Sequence, residues 1–151
     1  MTLLSAATMH GRTLEKFPQH GGVAMIILAG TVRRINPGQS KTNCVNCAIA
    51  TDAMLAGRPA SALPGAPQSI GILERIFGAQ FSAVPSLATV VQALVVAGSG
   101  SRGIVFGSRD DGVGHVFNAV NQHGVVRFLD GQTGTIAVVS GYTGLRFLRT
   151  A

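Results

Sequence analysis

Apolar and polar positions change their rhythm several times along this chain. The opening twenty residues, including "HGRTLEKFPQHGG", follow no period and predict a loosely attached lead-in. "VAMIILAGTV", Val23 to Val32, is a continuous apolar run bounded by glycines and rich in strand formers, which predicts a buried strand. "RRINPGQSKT" predicts a loop with its turn at Asn36-Pro37-Gly38. From Thr42 the pattern becomes helical. Thr42 or Asn43 can cap a helix through Ala48, Ile49, Met54 and Leu55, which Gly57 ends with Pro59 just beyond.

"ASALPGAPQS" predicts a Pro-rich connection, Ser69–Phe77 a short helix, and Ser86–Gly98 a longer one capped by Ser86. Three strand-like runs follow, "RGIVFGS", "GHVFNAVN" and "VVRFLDG", with Gln122–Gly124 as a hairpin turn between the last two. A final "GLRFLRT" predicts a further strand at an edge. Helices first and strands afterwards imply an α+β domain, its helices packed on one face of an antiparallel sheet. Residues 1–34 stand as the lead-in with one strand, and residues 35–151 as a single domain without a break in composition.

Composition narrows the function classes. With 151 residues, 46% of them apolar, the chain can build one real core, and the absence of Trp leaves that core to aliphatic side chains. The net charge of +6 rests on few and scattered charges, with 12% of residues charged. No dense basic run is interleaved with aromatics, so nucleic acid is not an expected partner. An acidic protein partner suits the charge better. The longest apolar run, Gly21–Val32, is shorter than the roughly 20 residues of a membrane-spanning helix. The first residues lack the basic start and sustained apolar run of a signal peptide.

The chemistry concentrates in "TNCVNCAIATDAMLAG", which holds both cysteines, Cys44 and Cys47. A zinc site needs a second ligand pair at short spacing, and His115 and His123 straddle a hairpin instead, so no metal or other cofactor is expected. A thioredoxin-like pair lacks its βαβ surroundings. A disulfide across one helical turn closes a very short loop and stabilises little. A nucleophile fits better. A thiol in the first turn of a helix meets the positive end of the helix dipole and unpaired backbone N–H groups, both of which favour the thiolate.

Catalysis then needs a histidine and a group to orient it. In "VGHVFNAVNQHGVVRFLDGQTG", His115 opens one strand and Asp130 closes the next. Across an antiparallel hairpin the start of one strand lies beside the end of its neighbour. His115 and Asp130 are therefore expected together at one rim of the sheet, with Gln132 close behind as an alternative orienting group. Cys44, at the loop–helix junction, is favoured as the nucleophile over Cys47, which faces the core as a small apolar residue. Gln39 and Asn43, upstream of the thiol, are candidate side-chain donors for an oxyanion, together with backbone N–H groups at the helix start. His10, His20 and His123 are expected to be bystanders, and Asp110-Asp111-Gly112 a loop bordering the cleft.

Three blocks in order, Asn43-Cys44-x-x-Cys47, Gly114-His115-Val116-Phe117-Asn118 and Leu129-Asp130-Gly131-Gln132-x-Gly134, carry a family resemblance. Together they resemble the papain-fold toxin domains at the C-terminal tips of bacterial polymorphic toxins, described as glutamine deamidases. The resemblance covers Ile35 to about Gly134 and leaves the first third of the chain unexplained. It implies a papain-like fold over residues 35–151 and a Cys44-His115-Asp130 triad. It also implies secretion or injection by bacterial delivery machinery, action in the target-cell cytosol on a protein bearing a reactive glutamine, and a cognate immunity protein. Attack on a backbone amide would make the same groups a protease, and acceptance of an amine a transglutaminase. A non-catalytic binding module, with structural cysteines and a charge that steers an acidic partner, is the reading from a different class.

Overall fold

The computed structural model describes residues 32–151 and one short strand near the start of the chain, β1 (Ala7–Met9). Helix α1 (Cys44–Leu55) follows the loop predicted from "RRINPGQSKT", whose turn closes with the Gln39 N–H donating to Asn36 O at 3.1 Å. Strand β2 (Ala60–Ala62), helix α2 (Gly71–Phe77), strand β3 (Ser82–Val84) and helix α3 (Leu87–Ala97) come next. The chain then runs as β4 (Arg102–Ser108), β5 (His115–Gln122), β6 (Val125–Asp130), β7 (Thr135–Ile136) and β8 (Gly144–Arg149).

The main sheet has six strands in the order β3-β8-β4-β5-β6-β7, every neighbour antiparallel. At the β5–β6 hairpin Gln122 pairs with Val125, so the loop is the two residues His123 and Gly124. Both have positive φ, 54° and 88°, the twist that matches a two-residue hairpin to its strands. β1 and β2 form a separate small sheet.

Strand alternation distributes the core. On β4 and β5, Ile104, Val116 and Val120 face α1, whereas Val105, Phe117 and Ala119 face away from it. Helix α1 is buried on nearly all sides, from Val45 to Met54, because the sheet lies on one flank and α2 and β2 on the others. Helix α3 covers the opposite face: Val90 and Leu94, one turn apart, pack with Val105, Phe117 and Ala119. The α+β class and antiparallel sheet are as expected, but helices cover both faces. The strands carry apolar side chains on each side, so each side needs a cover.

Two further differences have local causes. "GLRFLRT", expected at an edge, is interior, because β3 pairs with β8 from Ser82 opposite Phe147 to Val84 opposite Leu145. β3 is too short to show a period, and Pro85 directly after it suits the edge it takes. β2 lies within the stretch expected to be only a connection; Ala60 and Ala62 are small and buried there, beneath α1. The expected strand Val23–Val32 falls outside the described residues except for Val32, which is buried and accepts a hydrogen bond from the Ile35 N–H at 3.2 Å.

Candidate active site

Cys44 is the first residue of α1, His115 the first of β5 and Asp130 the last of β6. Helix α1 lies along β5, tied to it by the Asn118 amide donating to Ala48 O at 3.0 Å. That packing brings the helix start to the rim of the sheet where β5 begins. Asn118 is opposite Leu129, so one residue further Phe117 faces Asp130, and His115 sits diagonally across from it. His115 Nε2–H donates to Asp130 Oδ2 at 2.7 Å. The Cys44 sulfur hydrogen-bonds the same imidazole, and with Nε2 engaged by Asp130 the ring presents Nδ1 to it. The three groups expected from the sequence form one hydrogen-bonded chain.

Their electrostatics follow. Burial by itself pushes the Cys44 thiol up. The hydrogen bond from His115, the Val116 N–H, the imidazolium charge and the Val45 N–H outweigh it and hold the thiol below its ordinary 9.0. Burial likewise disfavours a charged His115, but Asp130 and the Cys44 sulfur more than offset it and raise the imidazole to about 9. Each partner favours the charged form of the other, so their contact shifts the site toward a thiolate–imidazolium pair.

Asp130 is fixed in turn. Its Oδ1 accepts the Gln132 N–H at 2.9 Å and the Thr133 N–H at 3.4 Å, while its carbonyl accepts the Gly134 N–H at 2.8 Å. A side chain on Gly131 has no space, since a Cβ there would lie 2.4 Å from Thr51 Oγ1 and 2.7 Å from Ile35 Cγ2. The turn after β6 is thereby pressed against α1.

Cys47, the alternative nucleophile, lies one turn along α1 from Cys44. It is 1% exposed among Ile35, Ala50, Met54 and Leu129. Burial first, then the charges of Asp130 and Cys44, push its thiol up to about 12. Both cysteines are free.

Two orienting candidates have other work. The Asn43 amide donates to Asn36 Oδ1 and to Leu63 O, both at 3.1 Å, so its two N–H groups are engaged and none is left for an oxyanion. The Gln132 side chain donates to Asn43 Oδ1 at 3.4 Å and does not hold the imidazole; its backbone N–H supports Asp130 instead. Gln39 is exposed, with a left-handed backbone at φ 52°, and lines a cavity beside the site. Its side chain makes no hydrogen bond among the described residues.

The expected side-chain cap is also missing, because Asn43 occupies the N-cap without capping and Thr42 Oγ1 donates to Gly65 O at 2.6 Å. No N-cap side chain therefore takes up the first-turn N–H groups of α1, and one of them, on Val45, turns to the Cys44 sulfur. A side-chain cap would have taken one of those donors.

Asn36 is the residue that sequence reasoning missed. Its amide donates to Ser40 O at 2.8 Å and to Gln132 O at 3.0 Å while its Oδ1 accepts from Asn43, so it clamps the loop before Cys44 to the loop after Asp130. The Asn-Pro-Gly signal pointed only to a turn. His123 lies in its hairpin, and the Asp110-Asp111-Gly112 loop leads into His115 with Asp111 Oδ1 accepting the Val113 N–H. His10 and His20 lie outside the described residues. Among the described residues no three His, Cys, Asp or Glu side chains are grouped to hold a metal ion, and no helix is long and apolar enough to cross a membrane.

A sequence model of the family described as "Papain fold toxin 1, glutamine deamidase" matches residues 42–135, a span that contains Cys44, His115 and Asp130. The chain belongs to this family. Compared with curated proteins and with solved structures it gives no significant match. The family match agrees with the α+β fold, the antiparallel sheet and the buried helix that carries Cys44 at its start.

Proposed function

We propose that this chain deamidates a glutamine side chain on a target protein, with Cys44 as nucleophile, His115 as acid and base, and Asp130 as the group that orients the imidazole. The observation that carries the proposal is the hydrogen-bonded chain from the Cys44 sulfur through His115 to Asp130. The thiolate attacks the carboxamide carbon, and the C–N bond breaks as the His115 Nδ1–H protonates the departing nitrogen. Ammonia leaves and a thioester remains on Cys44. His115, now neutral, takes a proton from water, hydroxide attacks the thioester, and glutamate and the free thiol are released. Uncapped N–H groups at the start of α1 stabilise the oxyanion of both tetrahedral intermediates.

The fixed proton carrier explains the economy of the site. Asp130 keeps Nδ1 aimed at the sulfur, so the same ring nitrogen serves both halves of the reaction. Intact-mass analysis of a treated target decides the reaction. A gain of about one dalton, the difference between an amide and an acid, marks deamidation; two fragments mark proteolysis, and an amine adduct marks transfer.

The reading extends to biology through the toxin in the family's description. The chain is delivered by bacterial secretion or injection, works in the cytosol of the target cell and is neutralised by a cognate immunity protein in the producer. Two free cysteines suit a reducing compartment. Growth arrest on expression of the wild type but not of Cys44→Ala supports this, and equal arrest by both sinks it.

A further inference from the structure

A cavity of about 600 Å³ opens between the two loops that frame the proposed catalytic groups. One wall is the Asn36–Lys41 loop, which ends three residues before Cys44; the other is Gly131–Gly134, which begins one residue after Asp130. Three residues of extended chain reach at most about 10 Å, so the Lys41 end of that wall lies within about that distance of the Cys44 backbone. Arg33 and Lys41 both line it, both exposed. Neither has an ion-pair partner among the described residues, and no carboxylate lines the cavity. The walls are held from behind: Asn36 ties one loop to the other, and a Cβ on Gly134, at φ 74°, would come within 3.0 Å of the Arg33 Cα. The space is thus cationic and framed by the loops that lead into Cys44 and out of Asp130.

We propose that this cavity is a specificity subsite that receives an acidic side chain next to the target glutamine, with Arg33 and Lys41 supplying the charge. The inference rests on the deamidase reading for the identity of the glutamine, but recognition itself is independent of the chemistry. Two exposed cations contribute modestly each, and their effect is screened by salt.

The test uses three labelled peptides that differ only beside one glutamine, which is flanked by aspartates, serines or lysines. Binding to the Cys44→Ala protein is read by fluorescence anisotropy at low and high salt. The aspartate peptide should bind roughly tenfold tighter than the serine peptide at low salt, with the margin shrinking at high salt. Arg33→Glu/Lys41→Glu should reverse the order toward the lysine peptide, and Lys41→Glu alone should move it part of the way. Arg58→Glu/Arg75→Glu, the same change in net charge at exposed sites that do not line the cavity, should leave the order intact. Equal or undetectable binding of all three peptides overturns the subsite, as does an order that survives the cavity reversal or changes with the control pair. Preferential binding without any one-dalton gain on the wild-type protein keeps the subsite and sinks the deamidase reading.

Discussion

His115 donates from Nε2 to Asp130 Oδ2 at 2.7 Å, and the contact is set by the pairing of Asn118 with Leu129 further along the same two strands. A one-residue slip of that register would carry Asp130 to the other face of the sheet. The ring's orientation is therefore a property of the hairpin as a whole. It leaves Nδ1 toward Cys44, which the packing of a separate helix delivers.

Asp130→Asn should keep the fold and lose the drive that makes His115 a cation. An amide can still contact the ring but can donate as well as accept, so the tautomer is no longer fixed. Turnover of a glutamine peptide, followed by ammonia release, should fall on the order of 10³-fold or more. Near-normal turnover would remove Asp130 from the site.

The two cysteines should separate cleanly. Cys44→Ala should abolish deamidation without lowering the melting temperature. Cys47→Ala should retain activity while losing about 1 kcal/mol of stability, because a buried side chain is shortened in a packed core. Intact-mass analysis and urea denaturation of both variants check this, and the reverse pattern of activity would exchange their roles.

The pH dependence has a definite sign. Cys44 is held below its ordinary value, so iodoacetamide should label it at lower pH than a free thiol, while Cys47, pushed up to about 12, stays unlabelled in the folded protein. In His115→Ala the burial that opposes the thiolate remains and its main opponent is gone, so Cys44 labelling should shift to higher pH. Deamidation needs a protonated His115 and should decline as pH rises through about 9. His115 has a higher value folded than its ordinary 6.5, so its contribution to stability is fully present below about 6.5 and is lost as pH rises through about 9. The stability gap between wild type and Asp130→Asn, from urea denaturation, should narrow over that interval. Slow, equal labelling of both thiols would favour the binding module.

Gly131→Ala should disturb the site without touching a reacting group. The new methyl meets Thr51 Oγ1 and Ile35 Cγ2 inside contact distance, so the turn must lift from α1 and take Asp130 with it. A loss of about 1–3 kcal/mol is expected, with a fall in turnover to match. An unchanged pair of values would show that the turn is free to move.

Asn36→Ala tests the clamp between the loops. It removes two donated hydrogen bonds and leaves the buried Asn43 amide short of an acceptor. A loss of about 1–3 kcal/mol and slower alkylation of Cys44 should appear together. Slower alkylation at unchanged stability, or the converse, would separate the clamp from the site.

Much of this site was legible in one dimension, and the reasons differ from residue to residue. Cys44 stood out because a loop-to-helix transition is a local signal. His115 and Asp130 could be paired because the His123-Gly124 turn is local too and implies an antiparallel register. The partners of Asn43 and Gln132 and the part played by Asn36 were not legible because an amide has four hydrogen-bonding positions and the sequence does not say which partners fill them. β3 and β7 were missed since strands of three and two residues carry no period, and without β3 the last strand looked like an edge.

The order of residues alone determined that a thiol would sit at the start of a buried helix and that an imidazole and a carboxylate would share a hairpin, because helix starts and tight turns are encoded within a few positions. Only the folded chain decided that the helix start meets the hairpin's rim, that α3 covers the sheet's second face, and that Asn36 locks the two site loops around a cationic cavity. Those relations depend on packing between segments up to about a hundred positions apart, where the free energy is shared among many contacts and no short stretch records the outcome.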